Sequence, residues 1–143
     1  MSGSTVLGSG TTYLEGKVLG HSLGFAPWTP PPAIIYVGLC TSQPSSTTPG
    51  AEVAGGAYVR LTGTFAISAT PNVAVNTATI EWPAATASWG TLGWFELWDA
   101  ATGGNRLYQG TLIDPVSGVP VTRIIGTGDI LRIPAAALAV RAF

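Results

Sequence analysis

Carboxylates beside tryptophans are the residues in this chain whose types and spacing could do chemistry. Glu81 precedes Trp82, and Glu96 and Asp99 stand among Trp94 and Trp98. Two acids flanking a bond suffice for glycoside hydrolysis when they lie roughly 5 to 9.5 Å apart across an open cleft. Aromatic rings next to carboxylates also suit a sugar platform, for which Trp28, Trp89, Trp94 and Trp98 are the candidates. The structural reading of the same residues is stronger, because large aromatics dominate cores and interfaces. Strand alternation along Trp94-Phe-Glu-Leu-Trp98 puts Glu96 on one face with Trp94 and Trp98, opposite Phe95 and Leu97. That pattern describes a sheet with one polar-tolerant side. The four tryptophans and Phe143 are therefore candidates for a subunit interface or for glycan stacking.

The other reactive groups point to no catalytic, metal or cofactor site. His21 is the single histidine and has no cysteine or carboxylate at metal-ligand spacing. A Ser-His-Asp catalyst would need His21, and no Gly-x-Ser-x-Gly elbow supplies its serine. Gly118, Gly126 and Gly128 are not followed by Gly-Lys-Ser/Thr and read as turn glycines. Cys40 is the only cysteine, which excludes an intrachain disulfide and a thiolate zinc cluster. Within its apolar run it reads as a small buried hydrophobe. The expectation is a protein that is not an enzyme and carries no cofactor.

The elements that must position these groups are mostly strands. The first eleven residues are small and polar and read as a flexible or docking arm, since they cannot offset the entropy of their own ordering. Leu14, Val18, Leu19 and Leu23 fall near helical spacing, which predicts a short helix over 12–23 capped by Thr11 or Thr12. Gly16 and Gly20 each weaken it by about 1 kcal/mol relative to Ala, so packing must hold it. After the prolines at 27 and 30–32, the run Ala33-Ile-Ile-Tyr-Val-Gly-Leu-Cys40 predicts a central strand apolar on both faces. A polar loop, 41–50, follows and should be exposed and mobile.

Beyond Ala57, short β-like runs recur between turns: 58–65, 77–82, 91–98, 106–113, 121–125, 129–133 and 138–143. The Asp99–Asn105 segment, with its glycines, reads as a hairpin connection. With no repeat and no linker, residues 12–143 form one all-β domain, an antiparallel β-sandwich-like fold with one short N-terminal helix.

Charge and hydropathy narrow the partners. Only 9% of residues are charged, against about 25% in ordinary soluble domains, and mean hydropathy is +0.38. Either small polar residues make the surface or part of it is covered by other chains. Net charge is −1 with six scattered Lys and Arg, so there is no basic stripe for nucleic acid. No apolar run approaches the ~20 residues of a membrane span, and the amino end has no secretory-signal pattern, which implies synthesis in the cytoplasm.

Several stretches, taken in order, resemble a family of small tail-fibre-like or minor tail structural proteins of tailed bacteriophages. They are Ile35-Tyr-Val-Gly-Leu39 with its Pro/Thr-rich loop, Glu52-Val-Ala-Gly-Gly-Ala-Tyr-Val-Arg60 and Ala78-Thr-Ile-Glu-Trp-Pro83. Ala87-Ser-Trp-Gly-Thr91, Trp98-Asp-Ala-Ala-Thr-Gly-Gly-Asn105 and Gly128-Asp-Ile-Leu-Arg-Ile-Pro134 complete the set. The resemblance implies a β-sandwich-like virion component of tail, fibre base, collar or head, made in the host cytoplasm, with no active site to transfer. Its expected partners are copies of itself and other virion proteins, with neither nucleic-acid binding nor membrane insertion. The alternative is a carbohydrate-binding module that recognises a host-surface glycan. In the assembly reading, the 138–143 strand completes the sheet or packs at a subunit contact, and the arm docks on a neighbour.

Overall fold

The computed structural model of the chain describes residues 7–28, 32–113, 117 and 119–141. Helix α1, Thr12–Ser22, begins where Thr11 turns to extended backbone and its hydroxyl accepts the Leu14 N–H. It packs on the sheet through Leu14, which is buried. Of the two threonines available as caps, Thr11 is the one used.

Strand β2, Ile35–Cys40, is central, as its two apolar faces require. It pairs on one side with β3, Leu61–Gly63, and on the other with β8, Trp94–Trp98. The Asp99–Asn105 turn then carries the chain from β8 into β9, Arg106–Thr111, which runs antiparallel beside it. Gly104 at φ +79° supplies the left-handed turn there, and Asp99 accepts the Asn105 N–H at 2.7 Å. Next to β9 lies β1, Leu7–Gly10, followed by β12, Ala139–Arg141, then β5, Val73–Asn76, and β4, Phe65–Ile67. All these pairings are antiparallel except β1 with β12, which is parallel.

This order, β3-β2-β8-β9-β1-β12-β5-β4, forces the sheet to roll. Laid flat, eight strands at ~4.8 Å spacing would hold their outermost members about 34 Å apart. Yet those outermost strands are neighbours in sequence, separated by Thr64 alone, and Gly63 and Phe65 can be at most about 7 Å apart. The sheet therefore curls until its two edges meet through one bent segment, 61–67. Two ribbons complete the all-β, sandwich-like fold: β7, Gly90–Leu92, with β10, Arg123–Ile125, and β6, Ile80–Glu81, with β11, Arg132–Ile133.

One core fills the space between rolled sheet and ribbons. Val37, Leu39, Phe95 and Leu97 face it from the sheet, against Trp82, Leu92, Ile125, Leu131 and Ile133 from the ribbons and their connections. Two tryptophans are inside because their polar ends are satisfied. The Trp82 indole donates to the Val59 carbonyl at 2.9 Å and that of Trp89 to Gly56 at 2.8 Å. Buried Asn76 joins β5 to the approach of β12, donating to Ala78 and Pro134 carbonyls and accepting the Leu138 N–H.

Several expectations are corrected. Leu7–Gly10, placed in the arm, are a strand inside the sheet, because backbone pairing with β9 and β12 supplies the stabilisation that small side chains lack. The 58–65 run divides into β3 and β4, and the 91–98 run divides at Gly93 into strands of two different sheets. Strand β5 had no counterpart among the expected strands, and 77–82 contributes only β6.

Candidate functional site

The face of β8 turned away from the core carries Trp94, Glu96 and Trp98, as alternation requires. Across the ladders Glu96 stands opposite Gly38 of β2 and Gln109 of β9. It is not a solvent-facing acid. Its exposure is 0%, and the 41–50 segment reaches over it to donate the Gly50 N–H to Oε2 at 2.9 Å. Arg106 places Nη1 3.3 Å from the same oxygen and donates from it to Gln109 at 3.1 Å. Gln109 in turn reaches Ser9 of β1 at 3.4 Å, and the Thr11 hydroxyl donates to the Arg106 carbonyl at 2.7 Å. The polar-tolerant side is thus a covered ion pair tied to the start of α1. The Cys40 thiol lies beside it and is pushed well above its ordinary pKa, first by burial and then by the charge and hydrogen bond of Glu96.

A second polar cluster adjoins it, made possible by the missing side chain at Gly38. A Cβ there would stand 2.9 Å from Glu52 Oε2 and 3.2 Å from the Tyr58 hydroxyl. The Tyr58 hydroxyl accepts the Leu39 N–H at 2.9 Å and donates to Glu52 at 2.6 Å, mending the edge of β2 where β3 has ended. Burial and the bond to Glu52 hold that phenol above its usual range. Arg60 grips Glu52 with two bonds of 2.9 and 2.8 Å and donates to the carbonyls of Ala100 and Gly103. Its guanidinium also stacks 4.0 Å from the Trp98 ring centroid.

Depressions among the described residues adjoin these clusters and the ribbon side. A cleft of about 400 Å³ lies between the start of α1, the 46–49 stretch and the hairpin, lined among others by Tyr13, Thr47, Trp98, Asn105 and Arg106. Another, of about 370 Å³, lies over Glu52, Tyr58 and Arg60. A small polar one of about 210 Å³ touches Trp94 and Gln109. On the ribbon side, an apolar groove of about 330 Å³ runs along Leu112, Val121, Leu131, Ile133 and the 135–137 alanines, beside Arg123 and Arg132.

The candidate residues are therefore dispersed. Trp94 and Trp98 share a face and are partly buried, each at its own cleft. Trp89 is a core residue at 4% exposure, packed edge-on against Tyr58, so its ring offers no platform. Trp28 is partly buried after α1, where its backbone N–H meets His21 Nδ1 at 3.2 Å. Phe143 lies outside the described residues. The three acids are each engaged: Glu81 with Arg132 at 2.8 Å, Glu96 with Arg106, Asp99 with Asn105. Among the described residues no group of three or more His, Cys, Asp or Glu gathers as a metal site. No helix among them is long and apolar enough to cross a membrane.

Glu52, Tyr58, Arg60, Arg106 and Gln109 form a polar framework that was not among the expectations from the sequence. The closeness of Glu52, Tyr58 and Arg60 in the chain was a usable signal. Nothing local could pair Arg60 with carbonyls about forty residues away.

With this geometry in place, a comparison with family models finds that the one described as Podophage GP4 fiber I protein gp80 matches residues 9–141. That span runs from the Ser9 of β1 to the end of β12 and takes in both polar clusters. No curated protein matches the chain.

Proposed function

The chain belongs to the family of the podophage GP4 fiber I protein gp80, a phage-fibre structural family, and from that premise we propose that it works by assembly in a virion fibre. In this reading it packs against copies of itself and against neighbouring virion proteins, and its role is structural rather than catalytic. The observation that carries the proposal is the exposure of large apolar side chains on a protein with 9% charged residues. Ile124, Ile67, Phe25 and Leu23 are 76, 74, 72 and 70% exposed. Leu23 and Phe25 sit together just past α1, Ile67 is on strand β4 at an end of the rolled sheet's strand order, and Ile124 is on a ribbon. Such residues are stabilised when a neighbour covers them.

The test is the mass in solution by light scattering across a concentration range, together with antibody labelling of purified particles. A defined oligomer and labelled fibres are expected. A chain that stays monomeric at every concentration and is missing from particles would overturn the reading. A second reading, recognition of a host-surface glycan, is favoured by the polar cleft in which Trp98 and Arg106 meet.

A further inference from the structure

We infer that the cleft between the start of α1, residues 46–49 and the Asp99–Asn105 hairpin binds a carboxylate-bearing saccharide, with Arg106 receiving the carboxylate. The inference rests on the glycan reading and names its site and ligand class. Arg106 is 8% exposed, yet it lines this cleft. Its Nη1 is occupied by Glu96 and Gln109, while no described residue accepts a hydrogen bond from Nε or Nη2. Those two donors form the planar side of the guanidinium that takes a carboxylate through paired bonds.

The start of α1 adds to this. Thr11 accepts the Leu14 N–H and the Ser46 carbonyl accepts the Thr12 N–H. Between them, the Tyr13 N–H has no partner among the described residues, at the helix end where the backbone dipoles favour negative charge. Among the described residues no acidic side chain lines the cleft. The nearby acids are already engaged, Glu96 on Arg106 and Asp99 on Asn105, and Glu15 lies in the first turn of α1.

The rest of the lining suits a sugar ring rather than an isolated anion. Thr12, Ser46 and Thr47 bring hydroxyls and Asn105 an amide. Arg60 already occupies one side of the Trp98 ring, which also borders the cleft, and the buried Trp98 indole N–H has no partner among the described residues. At about 400 Å³ the cleft is within the roughly 300–1,000 Å³ of small-molecule sites. Because Arg106 is paired with Glu96, the local charge is close to balanced, so affinity depends on the unused donors and not on a strong field.

Calorimetric titration of the full chain with trigalacturonate and with uncharged galactotriose tests this, alongside the Trp98 indole N–H signal in NMR, assigned with Trp98→Phe. Trigalacturonate should bind about tenfold more tightly and shift that signal, the size of one charge-assisted pairing. The double variant Glu96→Gln with Arg106→Gln removes both buried charges together, leaving none uncompensated, and should lower that affinity about tenfold. Should it not fold, Ser46→Ala with Thr47→Ala at the exposed rim should still weaken binding several-fold. Equal affinity for the two sugars, or trigalacturonate binding unmoved by the variants, overturns the Arg106 assignment while glycan recognition stands. Binding of neither sugar overturns the site and the glycan reading together, and leaves assembly to be judged on particles.

Discussion

Arg60 is the residue on which the outer face depends. One side chain closes a bidentate ion pair with Glu52, holds the hairpin by donating to two of its carbonyls and covers Trp98. Arg60→Ala should lower stability by about 2–4 kcal/mol, because Glu52 is left in a largely buried place with only the Tyr58 hydroxyl and no countercharge, and the Ala100 and Gly103 carbonyls lose a donor. Arg60→Lys should recover only part of that, since an ammonium cannot reproduce the fork; urea denaturation of both variants checks this. Gly38→Ala should cost about 1–3 kcal/mol by driving a methyl against Glu52 and Tyr58. Alkaline pH acts on both polar clusters, through Tyr58 in one and Cys40 beside the other. The folded chain keeps the Tyr58 and Cys40 protons that the unfolded chain releases near pH 10 and 9. Their contribution is therefore whole below about pH 9 and declines as pH rises. Tyr58→Phe should lower the melting temperature at neutral pH but flatten its fall above about pH 10. Little of this was legible in the sequence. Alternation put Glu96 on the right face, but its burial depends on Gly50 and Arg106, which only the fold brings near.

At the scale of elements, strand β1 decides the integrity of the sheet. Among the described residues it is the one strand that joins the β3-β2-β8-β9 half to the β12-β5-β4 half within the hydrogen-bonded order. Deleting residues 1–11 should abolish cooperative unfolding in circular dichroism, and a synthetic peptide of those residues added in trans should restore part of it. Removing 138–143 should do the same damage, since β12 lies inside the sheet between β1 and β5. Elements with a strong local signal were legible: α1 from its cap and apolar spacing, β2 from its apolar run, the β8–β9 hairpin from Asp99 and its glycines. β1 was not, because Leu7-Gly-Ser-Gly10 has the composition of a linker and becomes a strand through its two neighbours. Nor was β5, whose Val73-Ala-Val-Asn76 is short and begins directly after a turn at Asn72, with φ +65°.

For the whole molecule, low charge and positive hydropathy left two readings, a surface of small polar residues or an exterior partly covered by other chains, and Ile124, Ile67 and Phe25 are among the apolar side chains that the surface exposes. Replacing Ile124 with Lys should leave the monomer's stability within about 0.5 kcal/mol, as exposed substitutions do. If Ile124 is covered on assembly, the same change should shift light scattering toward smaller species. The all-β class was legible from the recurrence of short runs between turns. The rolling of the sheet was not, because it follows from which strands become neighbours, and pairing between distant segments leaves no mark on either one.

The parallel pairing of β1 with β12 has a mechanical meaning. Leu7 stands beside Ala139 and Gly8 beside Val140, so the chain enters β1 at one end of the ladder and leaves β12 at the other. Tension along the polypeptide drags the two strands lengthwise past each other, with β9 and β5 bracing their outer sides. The hydrogen bonds are then loaded together in shear instead of opening in succession like a zip. Stretched between its two ends by a force probe, the domain should yield in a single abrupt event at high force, a property suited to a fibre that is pulled.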